Sequence, residues 1–329
     1  MENMTLISVI IPIYKVENFI VRCAKSLLQQ TLNDVEYIFV DDATPDRSIE
    51  LLEEVIGQYS ERKGQVRLLK HQTNKGLPAA RNTGLSVAKG EYIFHCDSDD
   101  FVEPKMLERL YLKAKSDEAD IVWCDWWLSF ERNERYMKQP GYATPMEALK
   151  GLLEGTMKFN VWNKLVKRTL YADYNIQFPS GYGMGEDMTM IRLFARAGKV
   201  SYLAEAFYHY VQLNTGAFCK TENKQHLIDL RHNVSLVEDD LWSLYGKEIE
   251  TELAFFKLNV KFPFLITDNP AKYKLWEAWF PEANKFILKN KNISLRSRLL
   301  QLAAWKKQYW LVKLYYICIH RLVYGVIYR

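Results

Sequence analysis

The stretch Glu91-Tyr92-Ile93-Phe94-His95-Cys96-Asp97-Ser98-Asp99-Asp100 reads as a buried strand that ends directly in carboxylates. In an open α/β sheet, the carboxyl end of a strand delivers its side chains into a crevice. Asp97 and Asp99, one residue apart, can reach one hard cation through oxygen while leaving positions for substrate phosphate oxygens. The same tetrad also fits a turn whose side chains cap the helix beginning near Pro104. Two further acidic sites favour the first reading: Asp41-Asp42 after an apolar run, and Glu186-Asp187 after a glycine turn. The three together form the pattern of an enzyme that grips a nucleotide and a metal.

On either side of this stretch, short apolar runs alternate with amphipathic segments. Strands are expected at Ser8 to Pro12, Tyr37 to Asp41, Val66 to Lys70, Tyr92 to Cys96 and Asp120 to Cys124. Helices are expected from about Asn18 to Gln30, Ser48 to Tyr59, Pro78 to Ala88 and Pro104 to Lys115. The alternation predicts a mostly parallel sheet with helices on both faces. Tyr14, Asp41, Asp42, Asp97 and Asp99 then all follow strands at their carboxyl ends, in one crevice. Neither Gly-X-Gly-X-X-Gly nor Gly-X-X-X-X-Gly-Lys-Ser/Thr occurs, so diphosphate binding is expected to rest on metal rather than on a glycine cradle.

After residue 130 the regularity fails. Pro140-Gly141, Pro145 and the glycine-rich segment Pro179 to Gly185 punctuate the chain before Glu186-Asp187 opens a helix to about Ala197. A glycine loop leading into acids can close over a bound substrate. From about Thr221 the pattern is helical, with Leu227, Leu230, Val234, Val237 and Leu241 at helix spacing. The expected division is a catalytic domain over 1–215 and a helical region over 216–329.

The 329 residues, 48% of them hydrophobic, can fill a sizeable core. Five scattered cysteines without Cys-X-X-Cys spacing argue against a disulfide framework and a structural zinc, and fit a reducing cytosolic compartment. Leu6 to Ile11 is too short for the apolar core of a signal peptide, and no uncharged run approaches the roughly 20 residues needed to cross a bilayer. The net charge of +4 hides an asymmetry. From Ala283 to Arg329 there are ten Lys and Arg and no acid, which leaves 34 basic against 40 acidic side chains before it.

Several segments together resemble a family 2 glycosyltransferase with the GT-A fold. Ser8-Val9-Ile10-Ile11-Pro12-Ile13-Tyr14 is similar to the family's opening strand, and Ser26 to Thr31 to the end of its first helix. Tyr37 to Asp46 resembles its nucleoside-binding segment, Asn74 to Gly84 its arginine-asparagine helix, and Gly90 to Asp100 its DXD segment. Trp162-Asn163-Lys164-Leu165 and Gly185-Glu186-Asp187 resemble its acceptor-side signatures. The likeness runs from about residue 6 to about 210.

The resemblance implies transfer of a sugar from a UDP-linked donor to the hydroxyl of a glycan or lipid-linked acceptor, with inversion. It implies that Asp42 hydrogen-bonds the uracil edge, Tyr14 packs on the base and Pro12 shapes the same pocket. Asp99, with Asp97 direct or through water, would hold Mn²⁺ or Mg²⁺ against the diphosphate, Arg81 would neutralise phosphate or pair with an acid of the crevice, and Asp187, with Glu186 orienting it or the acceptor, would be the general base. A cation stabilises departing UDP without a protonated acid, and one carboxylate on the opposite face takes the acceptor proton. The turn Asp42-Ala43-Thr44-Pro45 is stiffer than the family's, and Tyr208-His209-Tyr210-Val211 has histidine where a basic donor contact is usual. A nucleotidyltransferase would need a basic glycine-rich loop near the amino terminus, which residues 6–20 do not supply. A catalytically silent scaffold of the same fold is the other alternative.

Basic residues and large aromatics between Leu295 and Tyr328 fit helices lying in the headgroup region of an anionic leaflet. They also fit a helical pair packed on protein. Stacking or base-reading modules for nucleic acid are absent. The expected location is cytoplasmic, with peripheral attachment to the inner face of the plasma membrane if the tail meets lipid rather than protein.

Overall fold

The computed structural model describes residues 5–214 and 223–319. Apolar, fully buried β1 (Ile7–Ile13) and β2 (Val35–Asp41) lie at the centre of a parallel run with β3 (Val66–Lys70) and β4 (Tyr92–His95). The helices α1 (Ile20–Leu28), α2 (Ser48–Gln58) and α3 (Leu77–Val87) make the crossovers. Beyond β4 come β5 (Phe101–Val102), α4 (Met106–Ser116), β6 (Ile121–Ser129), β7 (Glu134–Met137), α5 (Pro145–Glu154), β8 (Lys164–Lys167), α6 (Arg168–Asp173), α7 (Thr189–Phe194) and β9 (Val200–Val211). The sheet order is β3-β2-β1-β4-β8-β6-β9-β5, with β7 added beside β6. From β4 onward the sheet is mixed, because β8 runs antiparallel to both β4 and β6 while β6 and β9 are parallel.

This order places a topological switch point between β1 and β4, since β1 is followed to one side and β4 is reached on the other. Ligand crevices of open α/β sheets open there. The sequence sharpens the opening at Pro12. The β1–β4 ladder ends at Ile10 opposite His95, while β1 stays in register with β2 to Ile13. The Ile10 carbonyl still accepts from the Cys96 amide at 3.0 Å. Two residues on, on the same side of the strand, Pro12 offers no N–H, so the ladder cannot continue and the two strands part.

The chain forms two compact units. The first comprises the residues up to Ala148 together with Phe159–Val237, and the second comprises Leu149–Lys158 with the residues from Glu238. The division read at 215/216 lies outside the described residues, and α8 (Lys224–Tyr245) belongs to the first unit up to Val237. The second unit contains α9 (Glu250–Lys261), α10 (Pro270–Ala278), α11 (Leu295–Trp305) and α12 (Tyr309–Tyr315). Its core is aromatic, with Phe256, Trp276 and Trp279 buried, and the ammonium of fully buried Lys261 lies over the Trp276 ring at 4.3 Å. That ammonium donates to the carbonyls of Trp279 and Phe280 and to Asn284 Oδ1, at 2.7, 3.3 and 2.7 Å. Burial lowers its pKa to about 7.

Candidate active site

Three strand ends supply the crevice. Tyr14 follows β1 and is 41% exposed. Pro12 is buried within β1, beneath it. Asp42 follows β2 and is 3% exposed. Its Oδ1 accepts from His71 Nδ1 at 2.6 Å and from the Lys75 amide at 2.8 Å, and its Oδ2 accepts from the Gly76 amide at 2.8 Å. Both oxygens of Asp42 are thus taken by the protein itself, and they tie down the turn that starts α3. His71 completes the tie through Thr83 Oγ1 at 2.9 Å.

The tetrad after β4 divides by role. Asp100 is fully buried, accepting from the Tyr208 hydroxyl and the Val211 amide, each at 2.7 Å. Burial, with Asp99 and Asp97 adding to it, holds its pKa well above the usual carboxylate range. The Tyr208 hydroxyl also accepts from the Asp97 amide at 3.1 Å. Asp100 therefore pins β9 to the turn, and that turn presents Asp97 and Asp99 to the crevice. Asp99 Oδ2 accepts from Asn214 Nδ2 at 2.9 Å, and Asp97 Oδ1 accepts from Arg81 Nη2 at 2.8 Å. Among the described residues no group of three or more His, Cys, Asp or Glu could hold a metal alone. Asp97 and Asp99 offer carboxylate oxygen, the donor type that hard cations take, and each already has one oxygen engaged, by Arg81 and by Asn214.

The acids of the glycine loop reach the same place. Gly185 adopts φ 85, a left-handed backbone, and a short 3₁₀ turn carries Glu186–Met188 into α7. Asn82 of α3 clamps this loop, its side chain donating to the Phe178 carbonyl at 2.8 Å and accepting from the Phe178 amide at 2.9 Å. Arg81, its neighbour, is 1% exposed, and its Nη2 reaches Glu186 Oε1 at 3.5 Å as well as Asp97. One buried guanidinium thus joins an acid of the strand end to an acid of the loop. Burial acts against its charge, but Asp97 and Glu186 outweigh that and hold its pKa above the ordinary value.

Asp187 keeps partial contact with solvent while being densely surrounded by protein. Burial, then the neighbouring Glu186, push its pKa well above the carboxylate range, against the pull of Arg81 and Lys164. Lys164 is buried and donates to the Asn160 carbonyl at 2.7 Å and to Asn163 Oδ1 at 2.9 Å, and burial lowers its pKa to about 7. An added Cβ at Gly185 would strain the left-handed backbone and press within 3.2 Å of Leu230 Cδ1. Gly185→Ala is expected to cost about 1–2 kcal/mol in denaturant melts, and to lower kcat by displacing the acids while leaving nucleotide affinity unchanged.

The aromatic residues pack. Trp162 stacks on Tyr208 and Tyr210 with centroids at 4.5 and 5.1 Å, and Trp123 stacks on Tyr202 at 5.9 Å. His209 lies flat on Phe101 at 4.1 Å, with its two nitrogens at 2.7 and 3.0 Å from Glu134 and Glu103. These carboxylates fix the ring as a strut between β9 and its neighbours. Asp100, Tyr208, His71 and Asn82 were not assigned roles from sequence. Only the Arg81-Asn82 pairing in the α3 motif gave a signal, and Asn82's partner Phe178 stands 96 residues on.

Comparison with known proteins gives the class first. The fold is similar to crystal structures of S. aureus TarS 1–349, with TM-score 0.70 and 19% identity, covering 94% of this chain and 91% of that one. The structure is thus a GT-A type glycosyltransferase fold carrying a C-terminal helical region. Residues 8–185 match the model described as Glycosyl transferase family 2, and the chain belongs to that family. It is 33% identical to the uncharacterized glycosyltransferase EpsJ of Bacillus subtilis (strain 168), over 76% of this chain and 70% of EpsJ. It is 30% identical to the poly(ribitol-phosphate) beta-glucosyltransferase of Bacillus spizizenii, over 85% of this chain but 44% of that protein. The protein is a glycosyltransferase.

Proposed function

We propose that the protein transfers a sugar from a UDP-sugar to an acceptor hydroxyl with inversion, in the synthesis of a surface polysaccharide or a lipid-linked oligosaccharide. The observation that supports this reading is the Asp97–Arg81–Glu186 link, which joins an acid at the end of β4 to an acid of the glycine loop next to Asp187. TarS, of the same fold, has been crystallised with UDP and with UDP-GlcNAc. The polysaccharide setting is supported by the likeness to the poly(ribitol-phosphate) glucosyltransferase.

In this reading Tyr14 stacks on the uracil and Pro12 shapes the floor of its pocket, while the expected hydrogen bond from the uracil edge to Asp42 has to share oxygens that His71, Lys75 and Gly76 already engage. Asp97 and Asp99 would hold Mn²⁺ or Mg²⁺, which when bound supplies positive charge beside the donor diphosphate. Asp187 removes the proton from the acceptor hydroxyl as its oxygen bonds to the anomeric carbon. The bond from that carbon to the phosphate oxygen breaks, and UDP leaves with the electron pair. Displacement from the face opposite UDP gives inversion.

Calorimetric titration of the protein with UDP, with and without Mn²⁺, tests the nucleotide and metal sites together. Binding is expected to strengthen with Mn²⁺, and the Asp99→Asn protein is expected to lose that enhancement. Equal UDP binding in both conditions would remove the metal from the reading, and no binding in either would remove UDP.

A further inference from the structure

The second unit carries an apolar surface that the transfer reaction does not use. Leu295 is 60% exposed and Leu299 51% on α11, and Trp310 is 64% and Leu314 50% exposed on α12. An open groove of about 440 Å³ lies along the two helices, lined by Leu295, Leu299, Ala303, Leu311, Tyr315 and Arg296. Single exposed apolar side chains are ordinary, but several sharing one groove mark an interaction site. Exposed Arg296, Lys306, Lys307 and Lys313 are interleaved with them. The acid that answers them is Glu277 of α10, which takes Lys307 at 2.9 Å and accepts from the Tyr309 hydroxyl at 3.0 Å. From Ala283 to the end of the sequence there is no acid at all.

We infer that α11 and α12 dock on the surface of an anionic lipid bilayer. Leucines and tryptophans enter the boundary between headgroups and acyl chains, and the cations among them meet lipid phosphates. A second copy of the chain is a poor occupant, because a two-fold contact sets the same cations against one another. Insertion across the bilayer does not fit either: among the described residues no helix is long and apolar enough to span it. Arg321, read with this basic segment, lies outside the described residues. The inference is independent of the donor assigned above.

The test is flotation of the full chain with phosphatidylcholine vesicles, with and without phosphatidylglycerol. Phosphatidylglycerol is expected to raise the floated protein at least about tenfold at low salt, and added salt to reverse the gain. Trp310→Ser combined with Leu314→Ser, both at exposed positions, is expected to cut flotation at least about tenfold with an unchanged melting temperature. Flotation that ignores phosphatidylglycerol, or that survives the double substitution, overturns the inference. So does self-association in sedimentation velocity that the same substitutions abolish, which would assign the face to a second copy. Saturable binding of an acidic protein with no binding to vesicles would overturn it too.

Discussion

Asp187→Asn is expected to lower kcat by about 10²–10⁴-fold, the range for loss of a positioned general base, with UDP affinity unchanged. The substitution keeps the side chain's shape and removes its negative charge together with its capacity to take a proton. Arg81, not Asp187, makes the connection to the acids of the strand end, so the nucleotide side is left intact. The pH dependence follows from burial and from Glu186, which raise the Asp187 pKa well above the carboxylate range. A base with a raised pKa becomes protonated earlier as pH falls, so the acid limb of kcat is expected above the ordinary aspartate value of about 4. That limb should be missing from the residual activity of the Asn protein. Turnover within a few-fold of the parent, or an unmoved acid limb, would take the base role from Asp187.

The contrast between the two halves of the sheet shows what a sequence can disclose. Strands β1, β2 and β4 are mostly apolar runs, buried throughout and separated by helical periods, and their order of contact follows from the crossovers. Strand β8 has only four residues, Lys164–Lys167, and its lysines disguise it, since Lys164 is buried and internally hydrogen-bonded. Strand β9 carries Glu205 and His209 among its apolar residues, and its register with β6 shifts between Cys124 and Trp126, so no clean alternation survives. The sequence marks acids after strands and after the glycine turn, and the structure joins two of them, Asp97 and Glu186, through Arg81. The separate partners of these acids were not legible. That Asp100 is a buried anchor, that Asp42 is occupied by backbone amides, and that Leu149–Lys158 belongs with the helical unit all depend on contacts between distant parts of the chain.

Arg81→Met is expected to destabilise the protein by about 2–3 kcal/mol at neutral pH, and the size follows from two opposed effects. Removing one member of a buried ion pair typically costs about 3–5 kcal/mol, because the remaining charge stays desolvated. Arg81 also carries a liability, since its Nε and Nη1 are buried without a hydrogen-bond partner. Relief of those groups returns about 1 kcal/mol or more, and the 27% exposure of the Asp97 side chain trims the loss further. The unpaired acids win because Asp97 and Glu186 would then face each other without the cation between them. Glu186 already stands above its ordinary value, through burial, with Arg81 opposing, and loss of the guanidinium raises it further. Groups whose folded pKa is raised favour the folded state below their unfolded pKa and lose that contribution as pH climbs through the folded one. The penalty of Arg81→Met should therefore shrink between neutral pH and about pH 5, and adding Glu186→Gln should restore part of it. Denaturant melts of the parent, single and double variants across that range measure both effects. A loss that does not change with pH and is not relieved by Glu186→Gln would mean that Arg81 fills space beside Phe178 and does not couple the two acids.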